Sequence, residues 1–215
     1  MIPLLQLKLA GAEEQISTSF SCISWDRPIR GEVFVRTNEG MEKMRIHSQR
    51  RSALINYIGP NPVVFFQKKE GEGQQEFKEI AQVYLNPLLA QPLLLFVKEG
   101  ESYTIVAIED SFEAYPVSSY RFYNFTDKKL LAKFGDDHFD LAPQETVLLK
   151  DPFTTDTEFP VGFVVRSPDG IHPLYSNMWS HLQKYRYLIL ISESETRDVG
   201  PMKFRILSDY ERMSL

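Results

Sequence analysis

Val117-Ser-Ser-Tyr-Arg-Phe-Tyr-Asn-Phe-Thr126, Asp127-Lys-Lys129, Leu130-Leu-Ala-Lys-Phe134, Gly135-Asp-Asp137 and His138-Phe-Asp-Leu-Ala-Pro-Gln-Glu-Thr-Val-Leu-Leu-Lys150 form one continuous stretch. Short runs of β-branched, aromatic and aliphatic residues alternate in it with tight polar turns. That pattern predicts four hairpin-connected antiparallel strands. Tyr120, Phe122, Leu130, Ala132, Phe134, Phe139, Leu141, Val147 and Leu149 are the expected core of this half.

The same habit extends outward in both directions. Leu4 to Leu9, Ser17 to Trp25, Glu32 to Thr37, Ser52 to Ile58 and Val63 to Phe66 read as strands, with turns at Arg30-Gly31 and Asn38-Glu39-Gly40. Gly59-Pro60-Asn61-Pro62 reads as a firm break, because two prolines do not fit inside a central strand. Lys68 to Gln75 is an expected solvated hairpin loop. Phe77 to Leu85 fits either a helical or a strand period, and its bracketing by Asn86-Pro87 and Gln91-Pro92 favours a strand. Leu93 to Lys98 and Tyr103 to Ile108 form a hairpin. Beyond the central stretch, Pro160 to Arg166, Tyr185 to Ser192 and Met202 to Leu207 are strands and Ser167-Pro168-Asp169-Gly170 is a turn. Ile171 to Trp179 reads as extended, Ser180 to Lys184 as a single helical turn, and Glu193 to Gly200 as a charged loop. The sum is roughly fifteen to seventeen short strands, an all-β antiparallel sandwich of immunoglobulin-like type. Glu109 to Pro116 divides it into two sandwich sub-domains, residues 1–112 and 113–215, with a single large sandwich as the alternative.

Composition narrows the classes. Among 215 residues, 24 are basic and 29 acidic, giving a net charge of −5, which argues against a general nucleic-acid binder. Hydrophobic residues make up 43% and charged residues 25%, enough for a core and too apolar for wholesale disorder. No apolar run approaches the roughly 20 residues of a membrane span. Cys22 is the one cysteine, so no intramolecular disulfide forms and a buried thiol is expected. Met1 to Leu9 lacks the basic and apolar regions of a signal peptide. A periplasmic or secreted location is the expectation if such a peptide has been removed.

The residues that bear chemistry do not assemble into a catalytic motif. No Gly-x-Ser-x-Gly elbow occurs, and adjacent Ser180 and His181 point apart on either a strand or a helix. Gly71-x-Gly73 lacks a phosphate loop's Lys-Ser/Thr ending. Gly135-Asp136-Asp137-His138-Phe139-Asp140 is dense in hard ligands, but Gly-Asp is ordinary hairpin chemistry and no bidentate Glu follows at calcium-loop spacing, so no metal is expected. Arg45, His47, Arg50 and Arg51 form a basic cluster, read first as a solvated strand edge and second as an anion patch. Asn124-Phe125-Thr126 matches the glycosylation sequon and is read as a strand end. The candidate binding residues are Tyr175, Asn177 and Trp179, which share one face of an extended segment, with Leu174, Ser176 and Met178 left to serve the core.

Several features resemble uncharacterised bacterial cell-envelope β-sandwich proteins. They are Leu93-Leu94-Leu95-Phe96, the Asp110 to Pro116 connector, Arg121-Phe122-Tyr123-Asn124-Phe125-Thr126, Leu141-Ala142-Pro143-Gln144-Glu145, and Pro173-Leu174-Tyr175-Ser176. Such proteins usually place Gly where this chain has Gln144. The resemblance implies a fold and an envelope location, and no site residues. The reading is a non-enzymatic binding or scaffolding module with no catalytic residues and no cofactor, whose partner is another protein or a carbohydrate. The rivals are a hydrolase or carbohydrate-active enzyme with dispersed acidic residues, and a structural subunit assembling through sheet edges.

Overall fold

A computed structural model describes residues 14–68, 76–194 and 201–210, and every strand and contact below refers to them. The expected strand at Leu4 to Leu9, the Gly71-x-Gly73 loop and the loop after Ser194 lie outside the described residues. The chain divides into two compact units, Met1–Asp110 and Ser111–Leu215. Both are all-β sandwiches, and the described residues contain no helix.

The first unit holds β1 (Glu14–Ser24), β2 (Val33–Thr37), β3 (Gly40–Met44), β4 (Ile55–Asn61), β5 (Val63–Lys68), β6 (Phe77–Val83), β7 (Pro92–Glu99) and β8 (Ser102–Glu109). They form two sheets, in the orders β4-β1-β7-β8 and β3-β2-β5-β6. The second unit holds β9 (Ser119–Asn124), β10 (Leu130–Phe134), β11 (Asp137–Leu141), β12 (Thr146–Lys150), β13 (Thr157–Ser167), β14 (Gly170–His181), β15 (Tyr185–Glu193) and β16 (Met202–Tyr210). Its sheets run β12-β9-β15-β16 and β11-β10-β13-β14.

Counted from the start of each unit, these are one topology, 4-1-7-8 over 3-2-5-6. In both units the first and seventh strands are parallel, β1 with β7 and β9 with β15, and the other neighbours are antiparallel. The registers Ser24↔Phe96 and Asn124↔Ile191 align the units residue by residue. Trp25 N–H donates to Phe96 O and Phe125 N–H to Ile191 O, both at 2.8 Å, which repeats the match one residue on. Ser24 and Asn124 therefore hold the same place, as do Cys22 and Phe122.

Each unit has its own aromatic core. Phe20, Tyr57, Phe65 and Phe96 lie ring against ring in the first. Tyr120, Phe122, Phe134, Phe159 and Phe163 do so in the second. Of the residues expected there, Tyr120, Phe122, Leu130, Ala132, Phe134 and Leu141 are buried, while Phe139, Val147 and Leu149 pack partly buried against them. The seventh strands bury Leu93 to Phe96 and Leu188 to Ile191 completely, whichever face each side chain takes. That is why both read as unbroken apolar runs instead of alternation.

Three sequence expectations are corrected. Val117 to Lys150 does form four strands, but not a meander: β9 pairs with β12, while β10 and β11 pair in the opposite sheet. Only the β10–β11 connection is a tight hairpin, with Gly135 at φ 61° in a two-residue turn that favours glycine. Gly59 and Pro60 belong to β4 instead of breaking it. β4 is a sheet edge, where a missing N–H costs no ladder bond, and the strand stops at the cis Asn61–Pro62 bond. Ser180 and His181 continue β14, so no helical turn forms there. Phe77–Val83 is a strand, as its flanking prolines indicated.

Candidate binding surfaces

β14 is an edge strand, paired on one side to β13. Tyr175, Asn177 and Trp179 lie opposite Phe163, Val161 and Phe159, all buried. That register places the three on the sheet face that carries the core, where Tyr175 and Trp179 are part-buried and Asn177 stays exposed, and it does not give Ser176 and Met178 to the core as expected. Met178 and Ser176 point out, Met178 being 55% exposed. The register shift between Phe163 and Val164 accommodates Leu174 as an extra residue. The parity of β14 is therefore set by the inward residues of its neighbour.

An edge strand is only half covered, and this shapes the surface. The Trp179 ring lies parallel to Phe122 (centroids 6.5 Å, 11°) and edge-on to Phe134 (6.3 Å, 84°). Tyr175 packs on Phe204 at 4.1 Å. Trp179 Nε1–H donates to Tyr175 Oη at 2.8 Å, tying the two rings together. Both rings are half-buried, and Asn177 between them is exposed. Asn177 Oδ1 accepts the Met178 N–H at 2.8 Å, and the residue is exposed.

At the end of β14, His181 is fully buried. Its Nδ1 lies 3.0 Å from Tyr120 Oη and its Nε2 3.4 Å from Ser118 Oγ. Ser118 sits at φ 59°, with its N–H donating to Tyr185 O and its carbonyl accepting from Asp151 N. Burial lowers the affinity of His181 for a proton, and the negative charges of Asp156 and Asp151 offset this only in part. A serine, an imidazole and a phenol in line resemble a catalytic relay. Here the serine is 8% exposed and both its backbone groups are tied, so the arrangement is a polar core built around a neutral ring. Sequence reasoning missed it, because the partners lie 61 and 63 residues from His181.

Asn124 was the other residue undervalued in the sequence. It is fully buried, and its Nδ2 donates to Lys128 O, Leu141 O and Ala142 O at 2.8, 3.2 and 3.0 Å. Its Oδ1 accepts from Thr126 N and Oγ1. The sequon thus serves as a clasp joining the β9–β10 and β11–β12 connections, and burial removes its amide from any glycosylation of the folded chain. Gln144, in the place the resemblance reserves for glycine, adopts φ 58°. Its Nε2 donates to Phe125 O at 3.2 Å, a bond glycine lacks.

The charged clusters are also resolved. Asp136 lies in the β10–β11 turn, and Asp140 is ion-paired with Lys129 at 2.5 Å. Arg45, His47, Arg50 and Arg51 follow β3 in an irregular connection and do not line a strand edge. Arg51 donates twice to the Asp110 carboxylate, at 2.5 and 2.8 Å, fixing the last residue of the first unit. Arg50 donates to His47 Nε2 at 3.3 Å. Cys22 is completely buried, and desolvation pushes its thiol far above the usual range, so it is unreactive. No protein-family model matches this chain, and no curated protein matches it.

Proposed function

We propose that this chain is a non-enzymatic binding module of a bacterial envelope that engages another protein or a carbohydrate along β14. The carrying observation is the Tyr175–Trp179 pair: two hydrogen-bonded rings, held on the core yet half-exposed, with exposed Asn177 between them. Rigid amphipathic rings supply contact area at little entropic cost on binding, which is why such residues anchor interfaces and stack on sugars.

Two further observations support this reading over its rivals. Among the described residues, the bond to Lys78 holds the Glu101 carboxyl below its ordinary range and the bond to Ser167 does the same for Asp169. A general acid needs the opposite shift. On the edge strands β14 and β16, Asn177 and Asp209 each accept the next residue's N–H. Side-chain caps of this kind blunt an edge against pairing with another sheet.

The test is capture from native extract by the wild-type chain and by Asn177→Arg, an exposed position where a long cation obstructs the rings without touching the core. The expected result is a partner, protein or glycan, held by the wild type and lost from the variant. Equal capture by both places the contact elsewhere. With Trp25→Phe leaving Trp179 as the sole tryptophan, acrylamide should quench to an intermediate extent, and a silent Trp179 removes the rim as a contact.

A further inference from the structure

We infer that the first unit binds a small monocarboxylate with an apolar body, in the cleft where the β1–β2 and β3–β4 connections meet. The β14 rim takes no part in this, so either reading can fail alone. The cleft encloses about 280 Å³. Pro28, Ile29 and Ile46 give it apolar walls; Glu32, Arg45 and His47 supply its polar groups. Ile29 N–H donates to Ile46 O at 3.1 Å, and Ser24 N–H to His47 O at 2.8 Å. The two walls are thus pinned to each other and to the end of β1, so the cavity is a built feature and not a gap between loose loops.

Its charges select the ligand. Glu32 is neutralised by Lys43 at 3.2 Å. Arg51 is withdrawn into its pair with Asp110. Arg45 is exposed and makes no ion pair or hydrogen bond among the described residues. Arg50 has only donors, so His47 Nε2 must accept from it; the imidazole proton then resides on Nδ1, which becomes a donor. The Arg45 guanidinium, whose fork fits a carboxylate bidentately, and the imidazole donor beside it suit a carboxylate head group. The same connection carries exposed Arg27 and Arg30 together with exposed Asp26. The volume sits at the lower limit of pockets that enclose small ligands, roughly 300–1,000 Å³, and the apolar walls call for an aliphatic or aromatic body. A free acid and the C-terminal residue of a peptide share this chemistry.

The second unit supplies the contrast. Its equivalent connections, Phe125–Lys129 and Ala142–Glu145, are 5 and 4 residues long, against 8 and 10 for Trp25–Glu32 and Arg45–Leu54. Asn124 draws them together. In the first unit buried Ser24 stands in its place, and the longer connections meet through backbone bonds.

The test is a titration of the full chain, read by backbone amide shifts of Ile29, Gly31, Ile46 and His47. The probes are sodium hexanoate, hexanamide, inorganic phosphate, and a short peptide ending in leucine as the free acid or the amide. Hexanoate is expected to saturate these shifts at least tenfold more tightly than hexanamide or phosphate. In Arg45→Gln that preference should fall to about one, with an unchanged melting temperature. If the peptide acid outbinds its amide, the occupant is a chain terminus; if only hexanoate saturates, it is a free acid. The inference is overturned if no acid saturates the shifts, if acid and amide bind equally to the wild type, or if Arg45→Gln keeps the preference.

Discussion

Both sandwiches carry their first strand to the same end and must there hand the chain across to the opposite sheet. In the second unit Asn124 does this with one buried amide, its two N–H groups shared among three carbonyls and its oxygen accepting from Thr126 N and Oγ1. In the first unit Ser24 holds that place, the connections are longer and pinned backbone to backbone, and a cleft lined in part by Arg45 and His47 lies between them. Topology is thus compatible with a closed end or an open one. The units differ there in the residue at the end of the first strand and in the length of both connections. One turn of chain earlier the units differ again. Tyr120 hydrogen-bonds His181 in the second core, whereas its counterpart Phe20 packs on Tyr57 and Phe65 in the first.

The comparison breaks most visibly at the matched positions Phe122 and Cys22, both completely buried. Phe122→Ala should cost about 3–5 kcal/mol, and Cys22→Ala only about 1 kcal/mol, in a denaturant titration. Comparable losses at the two sites would mean that the residue-by-residue alignment of the units is mistaken.

Next in size is the clasp. Asn124→Ala removes the buried amide that joins Lys128, Leu141 and Ala142 and that accepts from Thr126, and should cost about 2–4 kcal/mol. Asn124→Asp should be worse, since a carboxylate offers only acceptors to those same carbonyls. A variant that melts with the wild type would show that the connections hold themselves.

His181 supplies a slope that Phe20 cannot. Its folded proton affinity lies below that of the unfolded chain, whose histidine titrates near pH 6.5. As the pH falls through that value the unfolded state takes up the proton first, so stability drops toward the folded value and levels off below it. The gradient is at most about 1.4 kcal/mol per pH unit for one group. His181→Gln should flatten the dependence of melting temperature on pH between neutrality and mild acid, and an unchanged slope would assign it to other groups.

The smallest expected effect is at the open end. Arg45 is exposed and has no ion pair or hydrogen bond among the described residues, so Arg45→Gln should change stability by less than about 0.5 kcal/mol. A larger loss would make Arg45 a structural residue and the cleft a closed one.

Much of this architecture was legible one segment at a time. Period-two alternation and turn chemistry are local properties of the chain. They located β9 to β12, the Gly135 turn, the β7–β8 hairpin and the strand character of Phe77–Val83. They also identified Tyr120, Phe122 and Phe134 as core and Cys22 as buried. Strand pairing is not local. That β9 joins β12 across sixteen strands' worth of alternatives, or that both units repeat one strand order with little shared sequence, depends on which apolar faces meet, and only the packed structure decides it. The inward face of β14 was misassigned for that reason: its parity comes from Phe159, Val161 and Phe163 on the neighbouring strand. The same holds for single side chains. Asn124 in the sequence is a sequon, His181 a histidine beside a serine, and Arg51 one more cation in a cluster. Each acquires its role from groups 17 to 63 residues away, because a buried polar atom must find its partner wherever the fold puts one.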